Sequence, residues 1–260
     1  MCGCAATAAA TSAMRSQRSE RVAQLVFTSD GAPLSKPEDV IGSLAKQERY
    51  WKEKYCVYET AHSWFQAQDL PKAIRTTLET DPVYADAKLI RAFFEKPPAS
   101  DRQGSAPSHT DVLQTDVLAI VKIKSGLAVI GVEGKVSEPF GDYVFQWNDG
   151  SPSKASRLAA MIKRLGIEPA VASNLRYQLL HRTMAALSEA EMIGAREVVM
   201  LIQSFSPDNV RAGFSDFQVF GAALGMPIAQ AGRLSQPLDL GDVRLRIGWT
   251  VDRMHGATSS

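Results

Sequence analysis

The sequence predicts an α/β domain: a mixed central β-sheet with helices on both faces. Three stretches carry that prediction. Asp116 to Gly141 (DVLAIVKIKSGLAVIGVEGKVSEPFG) reads as a β-hairpin. Its arms, Val117 to Ile123 and Leu127 to Val136, are rich in Val and Ile and flank Ser125-Gly126, where glycine at the second central position suits a tight primed turn. Glu197 to Phe205 is a short apolar run of the kind buried on both sheet faces, and joins the sheet beside the hairpin. Between them, Ser173 to Gly194 carries Leu180, Met184 and Leu187 at helical spacing.

In chain order, residues 1–20 read as a flexible tail and 21–251 as one domain. Pro37 to Lys54 has a helix start, with Pro37 in the first position and Glu38 and Asp39 in the first turn. Val57 to Gln68 places Val57, Ala61, Trp64 and Phe65 on one helical stripe, and Lys72 to Leu78 is helical. Val83 to Phe94 contains Leu89, Ile90, Phe93 and Phe94 without a clear period. Pro97 to Pro107 is a Pro/Ser/Gly-rich loop leading into the hairpin. After the hairpin, Pro139 cannot donate to a ladder, so pairing stops there. Asp142 to Gly150 is a loop with Tyr143, Phe145 and Trp147, which either stack bases or pack the loop onto the core. Ser151 to Leu165 is a helix closed by Gly166. Phe214 to Leu224 is a helix, Pro227 to Gly241 a loop, and Val243 to Val251 a strand at a sheet edge. Residues 252–260 are polar and expected to be disordered.

Composition bounds the function. Of 260 residues, 45% are hydrophobic and 22% charged, ordinary for a globular protein with one substantial core. The formal net charge of +1 gives no global field toward nucleic acid, so any such site is a local patch. The best local candidate is Ser151 to Arg182, where Lys154, Arg157, Lys163, Arg164, Arg176 and Arg182 stand against Glu168 alone. Cys2, Cys4 and Cys56 form no metal spacing and no disulfide framework, which fits a cytoplasmic location. No apolar run is long enough to span a membrane. The opening MCGCAATAAATSAM lacks a charged n-region and does not read as a signal peptide; Met14 is a second possible start.

The hairpin also carries chemistry. With Ser125-Gly126 as a two-residue loop, Asp116 falls opposite Lys135 and Leu118 opposite Glu133. Side chains alternate faces, so Asp116, Glu133 and Lys135 share one face, with Asp116 and Glu133 diagonal neighbours roughly 7–8 Å apart. The other face, Val117, Ala119, Val121, Ile123, Ala128, Ile130 and Val132, is core. Two carboxylates on a strand face suit a hard divalent cation, Mg²⁺ or Mn²⁺, and a lysine beside them suits phosphodiester hydrolysis. The residue types equally allow a cross-strand Asp116–Lys135 ion pair with Glu133 in solvent. Asp111 is a second-ranked rival for the metal-binding aspartate.

Asp116 followed by Glu133-Gly134-Lys135 resembles the D…ExK signature of the PD-(D/E)XK nuclease superfamily. The longer string VEGKVSEPFG, followed by LRYQLLHRT and VVMLIQSFS, resembles a bacterial family assigned to that superfamily. The resemblance covers roughly Trp51 to Ser206 and, more faintly, the terminal LRIGW. Thr115 stands where the superfamily name has proline. The resemblance implies a restriction-endonuclease-like core and a metal-dependent nuclease acting on nucleic acid, DNA in the first instance. Asp116 and Glu133 would hold the metal, the Gly134 carbonyl would add a ligand, and Lys135 would act on water and the phosphate. It also implies that Glu59, on the helix before the sheet, joins the metal site, that Gln178 (His181 less so) serves the site from the following helix, and that the protein forms a homodimer. The alternative is a catalytically inactive module of the same fold that binds nucleic acid or a protein partner.

Overall fold

The computed structural model describes residues 25–44, 49, 51–96, 115–205 and 209–256. The expected tail at 1–20, the loop after Pro97 and Asp111 lie outside them. The strands are β1 (Val26–Phe27), β2 (Lys88–Lys96), β3 (Thr115–Ile123), β4 (Gly126–Lys135), β5 (Glu197–Ser204), β6 (Leu238–Leu240) and β7 (Val243–Val251). They form one mixed sheet in the order β1-β2-β3-β4-β5-β7-β6. The pairs β2–β3, β3–β4 and β6–β7 are antiparallel, whereas β1–β2, β4–β5 and β5–β7 are parallel.

Helices cover both faces, as the two-sided apolar patterns of β4 and β5 require. On one face lie a 3-10 segment (Pro37–Ser43), α1 (Cys56–Gln66) and α2 (Lys72–Leu78); on the other lie α3 (Val144–Trp147), α4 (Pro152–Leu165), α5 (Pro169–Ala172), α6 (Tyr177–Ile193) and α7 (Asn209–Ala223). Val117, Ala119, Val121, Ile130 and Val132 meet Ala61, Trp64 and Ile74 on the α1 side. Leu118, Val129, Val198, Met200 and Ile202 meet Leu179, Leu180, Ala186 and Phe217 on the α6 side. Full burial of each Val, Leu, Ile, Met or Phe among them contributes roughly 1.5–3 kcal/mol. Two glycines of β4 allow the close helix approach. A Cβ on Gly131 would lie 3.0 Å from Ala186 Cβ of α6, and one on Gly134 would lie 2.2 Å from Thr60 Oγ1 of α1.

The hairpin forms, but its loop is Lys124-Ser125. Ile123 pairs with Gly126 and Val117 with Val132, so Gly126 (φ +136°) opens the second strand instead of closing the turn. The ladder is thus displaced by two residues from the expected register, and Asp116 falls opposite Glu133, not Lys135. An even displacement leaves every side chain on its expected face.

Other elements differ from expectation for identifiable reasons. The segment from Pro37 forms a 3-10 stretch, with Asp39 accepting from the backbone amides of Ser35 and Lys36. The aromatic loop contains the single turn α3. The long helix starts at Tyr177, not Ser173, because Arg176 is held extended: it bridges to Tyr143 and donates to Asp216 and to the Gly141 carbonyl. β7 is interior, and the three-residue β6 takes the edge through the tight Gly241-Asp242 turn. Asp252–Gly256 is also an ordered part of the domain: Asp252 accepts from Ser63 and Gln203, and the His255 ring stacks on His62 at 4.0 Å. No helix among the described residues is long and apolar enough to cross a membrane.

Candidate active site

The carboxyl ends of β4, β5 and β7 lie side by side, the edge at which open α/β sheets place their ligands. Strand alternation sends Glu133 and Lys135 out of β4 toward α6, where the one-residue extension of the ladder also puts Asp116. Asp116 Oδ2 accepts from the Gly134 amide at 2.8 Å, which fixes the carboxylate at the end of β3.

Gln178, one residue into α6, bridges the pair beneath it. Its Oε1 accepts from Lys135 Nζ at 3.0 Å, and its Nε2 donates to Glu133 Oε1 at 2.5 Å. Lys135 Nζ lies 3.1 Å from the same Glu133 oxygen, 3.5 Å from the Pro139 carbonyl, and 5.2 Å above the Phe140 ring. One helical turn further on, Arg182 donates from Nε to Glu133 Oε2 at 2.6 Å, and its Nη2 lies 3.9 Å from Asp116 Oδ1. Glu133, Lys135 and Arg182 are each no more than 5% exposed. The structure therefore brings together Asp116, Glu133, Lys135 and Gln178.

Three placements differ from expectation. Arg182, expected to touch nucleic acid from the surface, is buried among the carboxylates because β4 places Glu133 directly beneath its helix face. Glu59 belongs to α1, which covers the opposite face of the sheet. Its two oxygens accept from the backbone amides of Lys54 and His255, so it is a structural cap and no part of this site. The basic stretch is largely neutralised: Lys154 pairs with Asp149, Arg164 with Glu191, Arg176 with Asp216 and Arg182 with Glu133, while Arg157 and Lys163 stay exposed.

Two residues were not legible as functional. Glu95 at the end of β2 lies between the pairs Phe94–Val117 and Lys96–Thr115, hence across from Asp116. Glu95, Asp116 and Glu133 thus stand in a row over three adjacent strands. A carboxylate at the end of an apolar run was the available signal, hidden by the irregular period of β2, which carries a bulge between Leu89 and Arg91. Glu138 is the other. Its oxygens accept from the amides of Val136, Ser137 and Cys56, so it joins the end of β4 to the first turn of α1.

The electrostatics follow from burial. Loss of water pushes Asp116 up to about 7, and Glu133 beside it adds to the rise. Burial and Asp116 likewise hold Glu95 well above the usual carboxylate range. Burial would raise Glu133 too, but Arg182 and Lys135 outweigh it and keep it below that range. Burial would lower Lys135, but Glu133 and Asp116 hold it above the ordinary lysine value, so it is an ammonium at neutral pH. His181, buried one residue before Arg182, is pushed down to about 3 by burial, Arg182 and Arg157, and is a neutral ring.

Among the described residues, no three His, Cys, Asp or Glu side chains converge as a ready-made metal site. The donor set nevertheless fits a hard divalent ion. Three carboxyl groups face two cations, and burial first, then the neighbouring carboxylate, lifts Asp116 and Glu95, so a bound cation would favour their ionised forms. The obstacle is Arg182, which already holds Glu133 Oε2.

A cavity of about 340 Å³ leads to this cluster from outside, lined by Lys135, Gln178, Phe140, Gly141, Trp147 and Tyr177 among others. A larger hollow of about 650 Å³ opens on the α1 face, but Ser63 and Asp252 in its wall are hydrogen-bonded to each other and to the buried Gln203. No curated protein and no solved structure matches the chain. Residues 33–254 match the family described as Domain of unknown function (DUF6946), a span that takes in six of the seven strands and every residue of the cluster, and the chain belongs to that family.

Proposed function

We propose that the protein is a metal-dependent phosphodiester hydrolase acting on nucleic acid, DNA in the first instance, in the cytoplasm. The observation that carries this reading is the convergence of Asp116, Glu133, Lys135 and Gln178 at the end of β4, beside a cavity that reaches Lys135. Asp116 and Glu133, with Glu95 alongside, would hold Mg²⁺ or Mn²⁺. When bound, the ion would supply charge neutralisation and polarisation at a phosphoryl oxygen. Lys135 is the preorganised cation at the cavity floor, aimed at charge that develops on the scissile phosphate. Gln178 positions it: one amide holds Glu133 and Lys135 in a fixed relation.

A second reading rests on Arg182. A buried guanidinium already satisfies one oxygen of Glu133, as it would in a module that kept the fold and lost its metal. Calorimetry with Mn²⁺ separates the two, combined with single-turnover cleavage of a mixed DNA and RNA panel. A hydrolase binds Mn²⁺ and cuts, and Glu133→Gln, which removes charge but keeps size, weakens both. A wild-type protein that binds no Mn²⁺ and cuts nothing is the binding module.

A further inference from the structure

Resting on the hydrolase reading, we infer that the site takes an unpaired nucleic-acid strand, one nucleotide entering the cavity while its neighbour stacks on Phe145. Lys135 is 4% exposed at the floor of a cavity of about 340 Å³. That volume is at the low end of the roughly 300–1,000 Å³ of small-ligand pockets. It suits a single nucleotide at a strand end or flipped out of a strand, whereas the paired bases of a stacked duplex do not enter such a pocket.

The walls are flat and aromatic. Trp147 and Tyr177 stack at 3.7 Å with their planes 10° apart, and Phe140 lies under the Lys135 ammonium. Outside, on the same turn of α3 as Trp147, Phe145 is 58% exposed, more than any other large hydrophobic side chain among the described residues. It is not a loose side chain. Its ring lies 5.6 Å from Tyr143 and 11° from parallel, Tyr143 lies under the Arg176 guanidinium at 3.7 Å, and Arg176 is tied to Asp216 at 2.7 Å. An aromatic ring backed in this way with its outer face in solvent is a stacking platform.

Cations stand on α4, the next helix. Lys154 Nζ lies 5.3 Å from the Trp147 ring, and Arg157 is exposed a turn further along α4. The Lys154–Asp149 pair is at the surface and is worth little, so a phosphate competes for the ammonium. The open Phe145 ring, with Lys154 and Arg157 on the following helix, matches the base faces and phosphates of an unpaired strand, and a duplex keeps its base faces covered. Stacking is tolerant of sequence, so little base preference is expected.

The test is fluorescence anisotropy on the full chain with Ca²⁺ in place of Mg²⁺, using oligonucleotides of about 12 nucleotides, a length within the range one strand-binding groove covers. The probes are single-stranded DNA, single-stranded RNA and the blunt DNA duplex of the same sequence. At least one single strand binds about tenfold or more tighter than the duplex, and the DNA and RNA arms tell which. Phe145→Ala weakens that binding by about 5- to 100-fold, and Phe145→Trp restores it. Because the ring is largely in solvent, both variants keep the wild-type melting temperature. Duplex binding as tight as single-strand binding, unchanged binding by Phe145→Ala, or no binding to any probe overturns the inference. Cleavage with Mn²⁺ is scored separately. Tight single-strand binding without cleavage leaves the strand site standing and removes the hydrolase reading, whereas cleavage of duplex without single-strand preference does the reverse.

Discussion

Lys135 and Arg182 are the two cations against Glu133, yet they make opposite demands on a metal. Lys135 cannot ligate while protonated, and its neighbours keep it protonated. Lys135→Ala is therefore expected to bind Mn²⁺ as well as wild type or better, and to cut roughly 10²–10³-fold more slowly, as loss of one preorganised donor does. Single-turnover rates and calorimetry on the same sample check this; unchanged cleavage would remove Lys135 from the chemistry. Arg182 instead occupies an oxygen the ion would use. Arg182→Gln is expected to lose about 3–5 kcal/mol of stability in EDTA, because Glu133 is left buried with one cation fewer. The same variant is expected to bind Mn²⁺ about tenfold more tightly, a gain of about 1.4 kcal/mol, and to recover part of its stability when loaded. Weaker Mn²⁺ binding by this variant would show that Arg182 organises the ligands and does not compete with them. The sequence made Asp116, Glu133 and Lys135 legible because period-two alternation survives an error of two residues in register. It could not place Arg182 or Glu59. Which face of the sheet a helix covers is a tertiary fact, and a local charge count treats a buried arginine like an exposed one.

At the scale of elements, β4 is a strand squeezed from both sides. Gly131 admits α6, which carries Gln178 and Arg182, and Gly134 admits α1. The glycine of Glu133-Gly134-Lys135 thus has a steric reason independent of any ligand role for its carbonyl. Gly134→Ala would set a methyl 2.2 Å from Thr60 Oγ1 and is expected to cost about 1–3 kcal/mol in urea melts, as overpacking does. Thr60→Ala in the same chain removes that oxygen and is expected to restore most of the loss, a coupling a double-mutant cycle measures. Additive losses would mean that Gly134 is needed for its backbone and not for the space. The same close packing explains what the sequence concealed at this scale. The segments α2, α4 and β5 carry their own period and boundaries, and the hairpin carries its period. β2 does not, because its bulge breaks the alternation at the strand that brings Glu95. β6 is three residues long, below the length at which a pattern exists, although Leu240-Gly241-Asp242-Val243 was a readable tight turn.

For the molecule as a whole, the row Glu95, Asp116 and Glu133 buries three carboxyl groups against two cations, Lys135 and Arg182, and burial holds protons on Glu95 and Asp116 above the usual carboxylate range. Asp116 is the group to follow. Its carboxyl titrates near 7 in the folded protein because of burial and Glu133, against about 3.9 in an unfolded chain. Between those values the folded state holds a proton that the unfolded state has released, so folding stability contributed by this group falls as pH rises through that window and is lost above it. Glu95 acts in the same direction, whereas Glu133, held low by Arg182 and Lys135, loses its contribution only in acid. His181 also opposes the trend, since it stays neutral in the fold while an unfolded histidine charges below about 6.5. Comparing wild type with Asp116→Asn cancels His181, and asparagine can still accept from the Gly134 amide. In EDTA the variant is expected to melt above wild type, by a margin that widens from pH 5 to pH 8. Mg²⁺ is expected to raise the wild-type melting temperature more at pH 8 than at pH 6, because a carboxylate must shed its proton to ligate, and to leave Asp116→Asn nearly unmoved. A margin independent of pH would show that Asp116 is ionised throughout. In that case Arg182, Lys135 and the Gly134 amide outweigh burial at Asp116, and the Mg²⁺ effect on the melting temperature is expected to lose its pH dependence as well.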